Sequence, residues 1–228
     1  MNKEAKSEIV SVYDSRDIDS DETYNALTSF NIHWKHEREY ALAEILTQLG
    51  TTDLSGLRVL DFGCGKGDMI LELIRLGVNP SNIDGVELNE RRLELLKERV
   101  PAQVKIGRKI DKSMLKDGYD IVIVYTVLSS IVDMGFRREV AEEIWKYTTP
   151  GSLIFIYDFK YSNPGNKDVR KVTKLEIRNY FPGVEFKWRS IILAPPIARR
   201  VFPFSRRLGR LLSGIAFLRT HFMVCVKR

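Results

Sequence analysis

The sequence predicts an α/β fold: a doubly wound, mostly parallel seven-stranded sheet with helices on both faces and an antiparallel last strand. Three observations carry this. Short apolar runs alternate five times with segments of helical periodicity between Leu57 and Phe159. Parallel neighbours need a crossover between them, and helices supply it. One run, "YDIVIVYTVL", is continuously apolar from Ile121 to Tyr125, as a strand covered on both faces must be. Beyond it two further strand-like runs, "VEFKWRSIIL" and "HFMVCVKR", read as an antiparallel pair at one sheet edge.

The elements follow in order. "HEREYALAEILTQLG" places Leu42, Ile45, Leu46 and Leu49 at i, i+3, i+4, i+7, a helix that Gly50 ends. The polar stretch before it, "VYDSRDIDSDETYNALTSF", reads as a shorter helix and a lid, so residues 1–50 form a helical arm on a domain spanning 51–228. "LRVLDF" is a buried strand, and "DMILELIRLG" a helix with Met69, Ile70, Leu73 and Ile74 inward and Gly77 as its stop. "NIDGVEL" is the second strand. Asn89 caps the next helix, which turns Leu93, Leu96 and Val100 inward. "AQVKIG" and "YDIVIVYTVL" are strands three and four, followed by a helix from about Phe136 to Tyr147, a turn at "TTPG", and the fifth strand "SLIFIYDF". "TKLE", Thr173 to Glu176, is a capping-box start for a helix that stops before Pro182. "PFSRRLGRLLSGIAFL" reads as one helix between the last two strands.

Composition bounds the function. A chain of 228 residues, 44% of them hydrophobic, buries one sizeable core, and arm and domain read as one globular unit. Cys64 and Cys225 are too few and too far apart for a disulfide scaffold or a zinc cage, and His33, His36 and His221 show no metal spacing. The start is charged, and no apolar run approaches the roughly 20 residues of a membrane span, so a cytoplasmic protein is expected. Charge is uneven: Phe186 to Arg228 holds ten Lys or Arg residues and no Asp or Glu, which leaves −4 of the overall +6 for the first 185 residues. Such a tail suits an anionic small molecule, nucleic acid or a membrane surface.

The stretch "LDFGCGKGDM" locates the ligand. In an open α/β sheet the site lies beyond the carboxyl ends of the strands, at the first strand-to-helix turn, and Gly63, Gly65 and Gly67 allow close backbone approach there. A P-loop is excluded because Gly67 stands where Ser or Thr should follow Lys66. A dinucleotide fingerprint is excluded because Asp68 occupies its third glycine position, where an acid would repel a pyrophosphate. A ligand without phosphates and with a cationic head fits better.

"VLDFGCGKG" and "GVELN" resemble the first and second motifs of the class I S-adenosylmethionine-dependent methyltransferases, whose Rossmann-like element order the chain follows from about Leu57 to its end. The resemblance implies S-adenosylmethionine as cofactor and S-adenosylhomocysteine as product. Asp61 is then expected to receive the methionine ammonium, Glu87 both ribose hydroxyls, Leu88 to lie against the adenine, Tyr125 to stand near the methionine end, and Cys64 to belong to the glycine turn. Many members follow the third strand with Gly-Asp, whereas "IGRKID" puts Arg108 there; either Asp111 or backbone groups would bond the adenine.

Methyl transfer needs alignment of acceptor and methyl, and an alcohol acceptor also needs a base. Asp158, at the end of the fifth strand, is the candidate base, and Lys160, Tyr161, Asn163 and Asn166 on the following loop are candidate acceptor contacts. "YDFKYSNPGNKDVRKVTKLEIRNYFPG", "LAPPIARR" and "LRTH" resemble a bacterial methyltransferase group associated with surface-polysaccharide and glycan biosynthesis. That likeness implies O-methylation of a sugar, phosphorylated, nucleotide-linked or lipid-linked, with Arg199 and Arg200 after a rigid "APP" turn as phosphate binders. Residues 203–218 place Phe204, Leu208, Leu211, Leu212 and Ile215 opposite Arg206, Arg207 and Arg210, a face that either packs on the domain or lies on anionic lipid. The alternatives are methylation of RNA or another small molecule, or a non-catalytic membrane- or nucleic-acid-binding protein keeping the fold. Nucleic acid is disfavoured, because "YTVLSS" lacks the N-P-P-[FYW]-like signature of amino-group methylation and no appended RNA-binding domain is visible.

Overall fold

The computed structural model describes residues 25–110, 118–162 and 165–228. Most of the expected N-terminal lid, Asp111 and Asn163 lie outside the described residues.

Helix α1 (Ser29–Gln48) starts where the Thr28 hydroxyl accepts from the Asn31 N–H at 3.2 Å. It begins several residues earlier than its leucine spacing predicts, because Phe30 is buried against Leu193, Ala198 and Phe202. Strand β1 (Val59–Phe62) leads through the glycine turn into α2 (Asp68–Arg75). Strand β2 (Ile83–Val86) precedes α3 (Glu90–Arg99), capped by Asn89, which accepts from the Arg92 N–H at 3.0 Å. Next come β3 (Lys105–Gly107), β4 (Tyr119–Tyr125), α4 (Met134–Lys146) and β5 (Thr148–Phe159). Helix α5 (Lys174–Tyr180) has the predicted capping box, with Thr173 and Glu176 bonding each other's backbone N–H groups. Strand β6 (Glu185–Leu193), α6 (Pro195–Val201), α7 (Arg206–Ser213), a 3-10 turn at Ala216–Leu218 and β7 (Arg219–Lys227) complete the chain.

The strands form a seven-stranded sheet in the order β3-β2-β1-β4-β5-β7-β6. Strands β1 to β5 pair in parallel, and β7 is antiparallel to both β5 and β6, so six strands share one direction. One face of the sheet packs on α1, α2 and α3 through Leu42, Ile45, Ile70, Leu73 and Leu96. The other packs on α4 and α5 through Phe136, Val140, Ile144 and Ile177. Strand order reverses between β1 and β4, the switch point at which open α/β sheets bind ligands.

Three local expectations are corrected. "TTPG" is not a separate turn but the start of β5. "APP" is not a turn either: Pro195 and Pro196 open α6, where a missing N–H costs nothing because the first helical turn has no partner for it. The single helix expected over 203–218 is divided: α7 ends at Ser213, and Ala216–Leu218 forms the 3-10 turn.

The loop between β4 and α4 is held by Arg137, whose side chain is fully buried. Its guanidinium donates to the carbonyls of Ile131 at 2.7 Å and Lys171 at 3.2 Å and to Glu176 at 3.1 Å. A buried cation is tolerable only when its donors are satisfied in this way.

Candidate active site

A cavity of about 270 Å³ opens at the carboxyl ends of β1, β2 and β4. Eight of the nine predicted cofactor residues line it: Asp61, Gly63, Cys64, Gly65, Glu87, Leu88, Arg108 and Tyr125. The turn needs its glycines, since Gly63, Gly65 and Gly67 have φ values of 79°, 55° and 84°. They serve different ends. A Cβ on Gly65 would meet only Arg92, at 4.0 Å, so that side of the turn is open. A Cβ on Gly67 would lie 2.4 Å from Leu96 and 2.9 Å from Val100. Gly67 is therefore the exception among the nine: it does not line the cavity, and its bareness lets α3 pack against the turn.

Asp61 is 2% exposed, and its Oδ2 atom has no hydrogen-bond partner among the described residues. Burial pushes its carboxyl up to about 7; Arg38 opposes the rise, and Glu87 and Glu72 add to it. Glu87, also buried, is held by both oxygens, accepting from the Gly65 N–H at 2.9 Å and the Asn89 N–H at 2.8 Å. These bonds tie the acid at the end of β2 to the glycine turn and to the start of α3. Lone pairs remain on both oxygens for a diol. Leu88, Arg108, Lys109 and Ile110 form the wall on the β2–β3 side.

Arg38 of α1 also enters the cavity, and the sequence reading missed it. It donates to Glu72 Oε2 at 3.1 Å and lies over the ring of Tyr125, 5.2 Å from the centroid. A signal was present: Arg38 stands four and seven residues before Leu42 and Ile45, on the helix face that is otherwise buried and apolar. Thr126 is a second omission. Its φ of 57° is rare for a β-branched residue, and the conformation is held by its N–H donating to Tyr157 O at 2.8 Å and by Ser130 Oγ donating to its carbonyl at 2.9 Å. Such strain is characteristic of ligand-binding turns.

The acceptor-side residues are not brought to this cavity. Asp158 is fully buried and absent from its lining, with Oδ2 accepting from the Ser129 N–H at 3.0 Å and Oδ1 from the Phe159 N–H at 2.9 Å. Burial pushes its carboxyl up to about 6, against those hydrogen bonds. This contradicts the expectation of a base facing the ligand: the carboxyl anchors the loop after β4. Lys160 donates to Ser190 Oγ at 2.7 Å, Tyr161 is exposed, and Asn166 accepts from the Asp168 N–H at 3.1 Å in a local turn. Arg199 and Arg200 lie exposed on α6, the former over the ring of Phe30. His221 stacks on Tyr157 at 5.2 Å between ring centroids, and burial pushes its imidazole down to about 3, which keeps it neutral.

A seven-stranded sheet with an antiparallel β7, a glycine turn after an acid-ended β1, and a second acid after β2 define the class I S-adenosylmethionine-dependent methyltransferase fold. The chain belongs to the methyltransferase-domain family, whose model matches residues 34–190, and it is an enzyme of that S-adenosylmethionine-dependent class. Among curated proteins it is similar to demethylmenaquinone methyltransferase of Lactococcus lactis subsp. lactis, with 26% identity over 80% of this chain and 69% of the relative. It is also similar to ubiquinone biosynthesis O-methyltransferase of Caulobacter sp., with 29% identity over 52% of this chain. That second match spans only 48% of the relative's length. Among solved structures, magnesium protoporphyrin IX methyltransferase of Synechocystis PCC 6803 with bound S-adenosylmethionine superposes with a TM-score of 0.62. The match covers 98% of this chain and 97% of the other at 14% identity, a likeness of fold.

Proposed function

We propose that this domain transfers the methyl group of S-adenosylmethionine to a ring-bearing small molecule of the quinone-precursor kind. The observation that carries the cofactor half is the buried Oδ2 of Asp61 on the cavity wall, which has no hydrogen-bond partner among the described residues. A carboxylate desolvated to that degree is poised for a cationic partner, and the methionine ammonium supplies one. In this reading Arg38 takes the methionine carboxylate and Glu87 both ribose hydroxyls. Leu88 and Ile110 flank the adenine beside Arg108, Tyr125 stands at the methionine end, and Gly63 and Gly65 keep the turn free of side chains.

When bound, the cofactor supplies an electrophilic methyl on a sulfonium. The chain's part is alignment and exclusion of water, for which a cavity walled by Phe62, Tyr125 and Phe136 is suited. Asp158 acts here as a positioning residue for the loop after β4, through Ser129, not as a base.

The acceptor reading draws on the relatives, which are named for quinone biosynthesis. It also draws on the position of Lys160, Arg199 and Arg200 off the cavity, which weakens the expectation of a phosphorylated sugar. O-methylation of a glycan stays as the second reading, favoured by the ten basic residues and no acid from Phe186 onward.

Calorimetry with S-adenosylmethionine tests the cofactor half. Binding is expected, with a loss of roughly ten- to a hundredfold in Asp61→Asn or Glu87→Gln, the size of a charge-assisted hydrogen bond. Unchanged affinity in both variants would refute the assignment. Release of S-adenosylhomocysteine with a prenylated quinol, set against a lipid-linked sugar, tests the acceptor half. Turnover of the sugar alone would reverse the order of the two readings.

A further inference from the structure

Helix α7 packs one leucine inward, the half-buried Leu212 against the Phe30, Leu193, Ala198 and Phe202 cluster, and otherwise turns small residues to the core. Its buried residues are Gly209 and Ser213. Gly209 lies so close to Phe202 that an added Cβ would sit 2.7 Å from the ring, and Ser213 Oγ lies 3.1 Å from His33 Nε2 on α1. With the small residues inward, Leu211 is 70% exposed and Leu208 46% exposed. Phe204, just before the helix, is 90% exposed, and Phe217, just after it, 79%. At 3.6 residues per turn, Leu208 and Leu211 fall on the side away from Gly209 and Ser213. Arg207 neighbours Leu211 on this wheel, and Arg206 and Arg210, also exposed, lie on the flanks nearer the buried side. A helix packed on a core ordinarily buries its leucines and exposes its small residues.

The topology gives this surface a position. Strand β6 runs in the direction of β1 to β5, and α6 and α7 follow directly from its carboxyl end. The exposed apolar cluster therefore lies at the same end of the sheet as the cofactor cavity.

We propose that Phe204, Leu208, Leu211 and Phe217, together with the exposed Arg206, Arg207 and Arg210 of the same helix, form a docking surface for an anionic lipid bilayer. The apolar side chains enter the headgroup boundary, and the arginines pair with lipid phosphates. Charge decides among occupants. With Arg199, Arg200, Arg206, Arg207 and Arg210 exposed on α6 and α7 and no acid on either helix, a second copy docked on this face would bring two cationic surfaces together. A nucleic acid would use the arginines and could stack on Phe204 and Phe217, but has no use for the aliphatic Leu208 and Leu211. An anionic bilayer satisfies both halves of the surface.

The inference is independent of the acceptor and is tested without cofactor. The full chain is sedimented with phosphatidylcholine vesicles, with and without phosphatidylglycerol, at low and high salt. Binding is expected only with phosphatidylglycerol. Arg206→Gln with Arg207→Gln is expected to weaken it about fivefold per arginine at low salt, the equivalent of about 1 kcal/mol per charge near the surface. Leu211→Ser with Phe217→Ser is expected to weaken it at least about tenfold at both salt concentrations, since lost apolar insertion is not screened. Circular dichroism and S-adenosylmethionine affinity unchanged from wild type establish that the variants fold. No vesicle binding, equal binding without phosphatidylglycerol, or wild-type binding by the apolar variant would overturn the proposal. So would a vesicle-free dimer that Leu211→Ser dissociates, or RNA binding that only the arginine variant loses.

Discussion

Replacing Asp61 by Asn separates what the site costs the fold from what it does for the ligand. Burial raises the Asp61 carboxyl from 3.8 to about 7. Because the folded value lies above the unfolded one, the native protein holds a proton that the unfolded chain has released between those two values. Stability therefore falls as pH rises through the window and is lowest above about 7. At 1.36 kcal/mol per pH unit, the full interval corresponds to roughly 4 kcal/mol, an upper bound for this one carboxyl. Asn cannot ionise, but its amide brings buried polar atoms that cost about 1–3 kcal/mol if unpartnered. The net expectation is that Asp61→Asn is more stable than wild type by about 1–3 kcal/mol at alkaline pH without ligand. Urea unfolding across a pH series checks this. The difference between the two proteins should grow by up to about 1.4 kcal/mol per pH unit below neutrality and then level off. S-adenosylmethionine should stabilise the wild type more as pH rises, since its ammonium pairs with the ionised carboxylate, and should do little for the variant. A stability difference that does not depend on pH would refute the reasoning.

Glu87→Gln leaves one of the Gly65 and Asn89 N–H groups without its acceptor, so a loss of about 1–3 kcal/mol in unfolding free energy is expected alongside the weakened cofactor binding. Gly67→Ala and Gly65→Ala should differ in kind. The first drives a Cβ into Leu96 and should cost at least about 2 kcal/mol while surviving folded protein still binds cofactor. The second meets open space, so denaturation should register only about 1 kcal/mol of backbone strain while calorimetry registers lost binding. Arg137→Met removes a buried cation that five donor contacts satisfy, leaving Glu176 and three carbonyls short of donors. A loss of about 3–5 kcal/mol is expected by urea denaturation.

The fold was legible because its signals are local and redundant. The apolar run from Ile121 to Tyr125 can be satisfied only at the centre of a covered sheet, and β4 sits there, flanked by β1 and β5. Asn89 and the Thr173–Glu176 pair write helix starts that need no tertiary information. The inward face of 203–218 was not legible, because helical periodicity says which residues share a face and not which face is inward. The contact of Gly209 with Phe202 decides that, and Phe202 is read as a neighbour only once the chain has folded.

The two strand-end aspartates show the same limit inside the site. Asp61 and Asp158 each close a parallel strand; the glycine turn marks Asp61 in the sequence, but nothing local says which face Asp158 takes. The register does. Asp61 pairs with Ile123, and Ile123 with Phe155, so Asp61 shares its face with Tyr125 and Tyr157, the side on which α1 brings in Arg38. Asp158 is one residue beyond Tyr157, and side chains alternate along a strand, so it points to the α4 face, where the Ser129 N–H takes it up. A one-residue offset thus separates a carboxylate with an unpartnered oxygen on a cavity wall from one engaged at both oxygens beneath a loop. Strand alternation and the register of β1, β4 and β5 together put the two acids on opposite faces, which strand ends alone do not show.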